Sequence, residues 1–282
     1  MKDSFLKIQK SEISADGMNQ YLKNKNKTIH CFDAIDSTNT ALKKMAHEGA
    51  VEGTVLVTQM QTAGRGRLGK TFFSPKGCGI YFSLLLRPKC RAQDACLITA
   101  GAAVAVHRAL LALFGLNTQI KWVNDIYYNG KKLCGILTES SVDAASGKLR
   151  FAVLGIGLNI KTPEEGYPEE FAFKTTNLSE TNISLSEDFK NRLIAEILNQ
   201  FDSIYACLLQ KEYMEEYKAA SCLLGKEIDI LSGQSVGKAL ALDIDQDANL
   251  VVRLPDGSIN KLSSGDVSIA LLPENLRSSG SM

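Results

Sequence analysis

The sequence predicts an α+β protein: a mixed central sheet flanked by helices, followed by a small C-terminal β-barrel or sandwich. Apolar, β-rich runs at 54–59, 79–86 and 149–160 have the length of buried strands. Two helical stretches, 93–114 and 186–209, are long enough to cover the faces of such a sheet. After Leu224-Gly225 the texture changes to short β-rich runs separated by turn signals at roughly ten-residue spacing. A chain of 282 residues exceeds one average domain. The expected division is a large domain over 1–223, a small one over 224–273 and a tail over 274–282. Ser278–Met282 is read as a tail or cloning scar and left out of the fold.

Each element has its local reason. Residues up to about 27 are polar, with one short helix around Ala15–Lys23. Ser37-Thr38-Asn39 is an N-cap cluster ahead of a helix that ends at Gly49. The run Thr54–Gln59 is β-branched and leads into a glycine-rich loop, Ala63–Gly69. Gly79–Leu86 is a strand stopped by Arg87-Pro88, and Gln93–Phe114 is an Ala- and Leu-rich helix closed by Gly115. Gln119–Val123 and Asp125–Tyr128 follow as strands, and Asn129-Gly130 turns the chain into a strand over 132–140. The strand Leu149–Ile160 is apolar enough to be central, and 161–182, with two prolines and no period, is a long loop. Ser186–Leu209 is amphipathic, with Ser186, Glu187 and Asp188 suited to a helix N-terminus. In the C-terminal part, turns are expected at Ser232-Gly233, 245–247 and Pro255-Asp256-Gly257.

Composition narrows the class. At 45% hydrophobic and 22% charged, the chain can build a sizeable core and is neither disordered nor collagenous. A net charge of +1 selects no partner by overall field. Seven cysteines, without a C-x-x-C, read as reduced thiols rather than a disulfide framework. His30, His47 and His107 lie far apart, so no structural metal site is expected and the metal ligands stay unknown. His107 and Arg108 interrupt the apolar stretch 95–114, and the N-terminus lacks a secretory pattern. A cytoplasmic protein without membrane contact is the expectation.

The chemistry concentrates in one loop. No acidic residue lies between Glu52 and Asp94, whereas Arg65, Arg67, Lys70, Lys76, Arg87, Lys89 and Arg91 do. Glycines at 64, 66 and 69 let backbone N–H groups approach an anion, and the arginines add forked donors. A phosphate or carboxylate suits this loop; a solvated basic turn is the plainer reading. Gly64 with Gly69-Lys70-Thr71 also fits the letters of a P-loop. That match fails, because Ser74-Pro75 and two more glycines follow where a phosphate-binding helix would start. Gly155-Ile156-Gly157-Leu158-Asn159 lacks the third glycine of a dinucleotide fingerprint, but it can deliver a glycine pair and an amide to a ligand. Lys121-Trp122-Val123-Asn124-Asp125 and Lys131-Lys132-Leu133-Cys134-Gly135 put donors and one acceptor on adjacent strands, or else form a charged surface hairpin.

Taken in order, these motifs resemble those of the biotin protein ligases. The likeness rests on Ser37-Thr38-Asn39, Gln61-Thr62-Ala63-Gly64-Arg65-Gly66-Arg67, Ser74-Pro75, Lys121-Trp122-Val123-Asn124-Asp125, Lys132–Gly135 and Gly155–Asn159. The resemblance implies a biotin/lipoate ligase-like catalytic domain with an SH3-like tail. It also implies a two-step reaction: biotin and ATP give biotinyl-AMP, and a lysine of a biotin carboxyl carrier protein then takes the biotin. By the same resemblance Ser37, Thr38, Asn39 and Gln61 meet the ureido head, with Arg65, Gly66, Arg67, Lys132 and Gly135 completing the biotin site. Arg65, Arg67, Lys70, Lys121, Asn124, Asp125 and Asn159 face ATP, and Lys132, Arg67 and Lys121 carry the catalysis. Mg2+ is expected with the phosphates.

Val123 stands where this family usually has proline, which loosens the turn before Asn124. Some family members carry an N-terminal DNA-binding module; about 30 polar residues are too few for one, so no DNA binding is expected. A homodimer is left open. The rivals are a lipoate ligase, a nucleic-acid binder using the basic 64–91 stretch, and a P-loop ATPase.

Overall fold

The computed structural model describes residues 13–232 and 235–269. The expected tail over 274–282 and Gly233 lie outside the described residues. A short helix α1 (Ala15–Tyr21) and strand β1 (Thr28–Phe32) lead to α2 (Thr38–His47), which the Ser37 side chain caps by accepting from the Thr40 N–H. Then come β2 (Thr54–Thr58), β3 (Gly79–Leu86), α3 (Ala95–Phe114), β4 (Gln119–Lys121), β5 (Asp125–Tyr128), β6 (Lys131–Val142) and β7 (Leu149–Asn159). The one-turn α4 (Glu169–Ala172), α5 (Phe189–Ala206) and α6 (Met214–Ala219) close the larger part.

The strands β1 to β7 form one mixed sheet in the order β1-β2-β3-β7-β6-β5-β4. The β1–β2 pair is parallel and every other pair antiparallel. Both faces of the central strands are covered, which is why their sequences are continuously apolar rather than alternating. Val55, Val57, Leu84, Leu86, Ala152 and Leu154 join the main core with α3 and α5. The intervening Leu56, Leu85, Phe151 and Val153 pack under Leu42 and Ala46 of α2. The Ala-rich α3 comes close to α5: a Cβ on Gly101 would lie 2.9 Å from Ile204 Cγ2.

Residues 92–114 do reach the length and mean hydropathy of a membrane helix, contrary to the expectation from His107 and Arg108. However, 67% of the most apolar window is buried in the protein, as in a core helix.

The last strands, β8 (Glu227–Ser232), β9 (Gly237–Ile244), β10 (Leu250–Arg253), β11 (Ile259–Leu262) and β12 (Asp266–Ile269), make an antiparallel sheet ordered β11-β10-β9-β8-β12, the small SH3-like unit. The Trp122 indole ties it to the sheet by donating to the Ala248 carbonyl at 2.8 Å.

Several boundaries differ from the sequence reading. β1 is missing from that reading because it is an exposed edge strand defined by its pairing with β2, without apolar alternation. β4 stops at Lys121, since Trp122–Asn124 turn the chain into β5. The helix expected over 186–209 occupies Phe189–Ala206 and ends in a separate 3-10 turn, Leu208–Gln210. The loop 161–182 contains α4, and the six-residue α6 is too short for a periodic signal.

Candidate functional site

On the α2 face of the sheet, neighbouring strands align in rows, because directly paired residues of antiparallel strands share a face. One row is Leu85, Val153 and Glu139; the next is Ser83, Gly155 and Leu137; the third is Tyr81, Gly157 and Gly135. The first row supports α2. Past the N-terminus of α2, the glycines of the next two rows leave the sheet backbone bare. A cavity of about 700 Å3 opens there.

The floor requires glycine. A Cβ on Gly155 would lie 2.2 Å from Asn39 Oδ1, and one on Gly157 would lie 2.5 Å from the Phe72 ring. Gly135 sits under the same ring, at 2.9 Å. The glycine pair read from the sequence is therefore a close-approach surface for Asn39 and Phe72.

One end of the cavity is an organised network of amides and hydroxyls, with the Glu139 carboxylate at its edge. Thr38 donates through its N–H at 2.9 Å and its hydroxyl at 3.2 Å to Gln61 Oε1, and Gln61 Nε2 donates to Ser74 Oγ at 3.0 Å. Asn39 Nδ2 donates to the Leu137 carbonyl at 3.2 Å and to Glu139 Oε2 at 3.0 Å. The Ser83 hydroxyl lies 2.6 Å from Asn39 Oδ1 and 2.7 Å from Thr38 Oγ1. Ser37, Thr38 and Asn39 are nearly buried, so this end offers fixed donors and acceptors in a low-dielectric place.

The other end is cationic. Arg67 donates to Asn124 Oδ1 at 3.1 Å and Lys70 pairs with Asp266 of β12, while Arg65 reaches back to Glu139 at 3.2 Å, beside Asn39. Lys132 meets Asp125 Oδ1 at 2.7 Å and lies 5.8 Å from the Phe72 ring centroid. Lys121 lies 5.4 Å from the centre of the Tyr127 ring. Burial, together with the Asp125 charge, pushes the Tyr127 phenol well up, so it stays neutral beside that ammonium. Lys132 is fixed along its backbone, its N–H donating to the Lys174 carbonyl and its carbonyl accepting from Thr176.

The turn carrying Val123 keeps Asn124 in place. Asn124 Nδ2 donates to the Ile136 carbonyl at 2.8 Å, and the Ile136 N–H returns a bond to the Asn124 carbonyl. The Tyr217 hydroxyl donates to the Val123 carbonyl at 2.9 Å. The basic loop itself forms only a 3-10 turn, Arg67–Gly69, before Lys70 becomes extended, so no phosphate-binding helix follows it.

Thus Ser37, Thr38, Asn39, Gln61, Arg65, Gly66, Arg67, Lys70, Lys121, Asn124, Asp125, Lys132 and Gly135 all line the cavity. Asn159 does not. Its amide donates to the Thr176 carbonyl at 3.2 Å, holding the segment that flanks Lys132. The sequence reading missed Ser83, Glu139 and Phe171. Ser83 carried a signal, a single serine inside the otherwise apolar and aromatic run Gly79–Leu86. Phe171 did not, because its place depends on how the loop after β7 folds back; it stacks on Phe73 at 6.1 Å.

Known proteins are similar to this chain in sequence and fold. The profile of the biotin/lipoate A/B protein ligase family matches residues 31–159, and that of the biotin protein ligase C-terminal domain matches residues 223–269. A bifunctional ligase/repressor from Bacillus spizizenii is 34% identical over 247 residues, covering 84% of this chain and 72% of its own. A biotin–acetyl-CoA-carboxylase ligase from Mycobacterium tuberculosis is 31% identical, covering 82% of this chain and 85% of its own. The biotin protein ligase from Aquifex aeolicus, solved in complex with biotin and ATP, superposes with a TM-score of 0.70 at 25% identity, over 86% of this chain and all of that one. With both family profiles in sequence order and the mixed sheet joined to its small β-unit, the chain belongs to the biotin protein ligase family.

Proposed function

We propose that this chain activates biotin with ATP as biotinyl-5′-AMP and then transfers it to a specific lysine of a biotin carboxyl carrier protein. The observation that carries this reading is the polarity of one cavity: amides and hydroxyls at one end, Arg67, Lys70, Lys121 and Lys132 at the other, and Arg65 between them. A ureido ring has two N–H donors and a carbonyl acceptor, which Asn39, Thr38, Ser37 and Gln61 can complement. The cationic end suits a carboxylate brought against a triphosphate.

In the first step a biotin carboxylate oxygen attacks the α-phosphorus, and the bond to the bridging β-phosphate oxygen breaks. Such a transfer needs alignment and charge neutralisation, not a covalent nucleophile. Lys132, held by Asp125, is the cation to bridge the carboxylate and the α-phosphate; Arg67 and Lys121 would neutralise the departing pyrophosphate. In the second step a neutral lysine amine of the acceptor attacks the acyl carbon, loses a proton and releases AMP. Mg2+ would arrive with the triphosphate. Among the described residues no three His, Cys, Asp or Glu side chains are grouped to hold a metal, so phosphate oxygens would be its main ligands. We also place the chain in the cytoplasm, in keeping with seven free thiols.

The rivals fare less well. The basic 64–91 stretch is divided: Arg65, Arg67 and Lys70 turn into the cavity, whereas Arg87 donates to the Ala46 and Ala50 carbonyls and Arg91 pairs with Asp94. That is not a continuous nucleic-acid face. Mass spectrometry of the protein with Mg-ATP and either biotin or lipoate tests the reading. Biotinyl-AMP with pyrophosphate is expected; lipoyl-AMP, or no adenylate, would reject it.

A further inference from the structure

Glu139 lies on β6 in the last row under α2, beside the cavity, and takes no part in the chemistry above. Three groups converge on it, two from α2 and one from the basic loop. Asn39 Nδ2 donates to Oε2 at 3.0 Å, Lys43 of α2 reaches Oε1 at 3.0 Å, and Arg65 of the basic loop reaches Oε1 at 3.2 Å. An ionised carboxylate only accepts, so it turns the Asn39 amide with Nδ2 toward itself and Leu137, leaving Oδ1 toward Ser83 and Gly155. Its side chain is 15% exposed, against 49% for Arg65, so the carboxylate is the fixed partner and the arginine the one that comes to it.

We propose that Glu139 is a positioning residue that joins head-group recognition to the seating of the basic loop: one carboxylate sets the polarity of the Asn39 amide and anchors Arg65 at the cavity. The inference rests on the biotin-ligase reading of this cavity. Burial alone would raise the Glu139 carboxyl. Hydrogen bonds from Lys43 and Asn39 and the charges of Lys43 and Arg65 outweigh it and hold the group below its ordinary range, so the anchor stays anionic. Lys43 compensates the charge but belongs neither to the cavity lining nor to the loop, which makes it the natural control.

The test compares the full-length wild type, Glu139→Gln and Lys43→Met. Biotin-dependent pyrophosphate release gives KM and kcat, and the dissociation rate of pre-formed adenylate reports how firmly the Arg65 loop is held at the cavity. For Glu139→Gln the expected result is a KM for biotin and an adenylate off-rate each raised about tenfold, about 1.4 kcal/mol, with kcat within about twofold. Lys43→Met should stay within about twofold of wild type in all three, because Asn39 and Arg65 keep their carboxylate. Unchanged KM and off-rate in Glu139→Gln would overturn the proposal. So would equal losses in both variants, which would mark general loosening of this corner. A wild type that releases no pyrophosphate with biotin would instead defeat the biotin-ligase reading beneath it.

Discussion

Replacing Gly155 with alanine places one methyl group in the floor of the cavity, and the structure fixes what it meets. The new Cβ would lie 2.2 Å from Asn39 Oδ1 and 2.9 Å from its Cγ, whereas ordinary contact begins at 3.4 Å. Gly155 is in the middle of β7 between two paired strands, so the backbone is poorly placed to yield. Asn39 must therefore retreat by about 1.2 Å, the difference between 3.4 and 2.2 Å. Its bonds to Glu139 at 3.0 Å and Leu137 at 3.2 Å cannot both survive that movement. Losing one neutral or one charge-assisted hydrogen bond costs about 1–3 kcal/mol. At about 2–4 °C per kcal/mol for a chain of this size, the melting temperature should fall by roughly 2–12 °C. Biotin should bind at least about tenfold more weakly as the acceptor moves out of place. Calorimetric titration with biotin and a thermal melt on the same sample measure both. A Gly155→Ala protein that keeps both its melting temperature and its biotin affinity would refute the claim that the bare floor seats Asn39.

Other expectations follow from the same geometry. Lys132→Ala should lower the rate of biotin-dependent pyrophosphate release by about 10²–10³, the usual cost of removing one preorganised charge donor from a transition state; a rate within threefold of wild type would exclude the assigned role. Trp122→Phe keeps the ring but leaves the Ala248 carbonyl without its 2.8 Å indole donor, so urea unfolding should show a loss of about 1–3 kcal/mol. At Asp245, burial opposes ionisation, but Asn249, Lys261 and the backbone N–H groups of Asn249 and Asp247 outweigh it and hold the carboxyl at about 2. Its ordinary value is 3.8, so its stabilisation is complete above that pH and is lost as pH falls toward 2. Denaturation between pH 4.5 and 2.5 should therefore lose less stability in Asp245→Asn than in wild type. Equal losses would contradict the assignment.

Much of the molecule was legible because its signals are local. The cap at Ser37, the left-handed Gly115 that closes α3 and the Asn129-Gly130 turn each need only a few neighbouring residues. The strand Gly79–Leu86 appears with its expected ends because both faces are apolar and Arg87-Pro88 follows. The basic loop and the Lys121–Asp125 motif identified the family, since recognising charged and ureido groups demands particular side chains at particular spacings.

What depended on the tertiary structure is how distant pieces meet. The row register decided that Gly155, Gly157 and Gly135 form one surface and that Ser83 and Glu139 stand at its edge. No local pattern encodes that alignment, because strand register is set by pairings between segments tens of residues apart. The same reason explains Asn159, which by sequence belongs with the ligand-binding residues. In space its amide is consumed by the Thr176 carbonyl, from a loop whose path is fixed only when it packs beside β6. The sequence by itself determined which chemical groups the protein carries and most of its helices and strands. Long-range packing decided which of those groups share the cavity and which are spent holding its walls, because burial and hydrogen-bond competition exist only in the assembled fold.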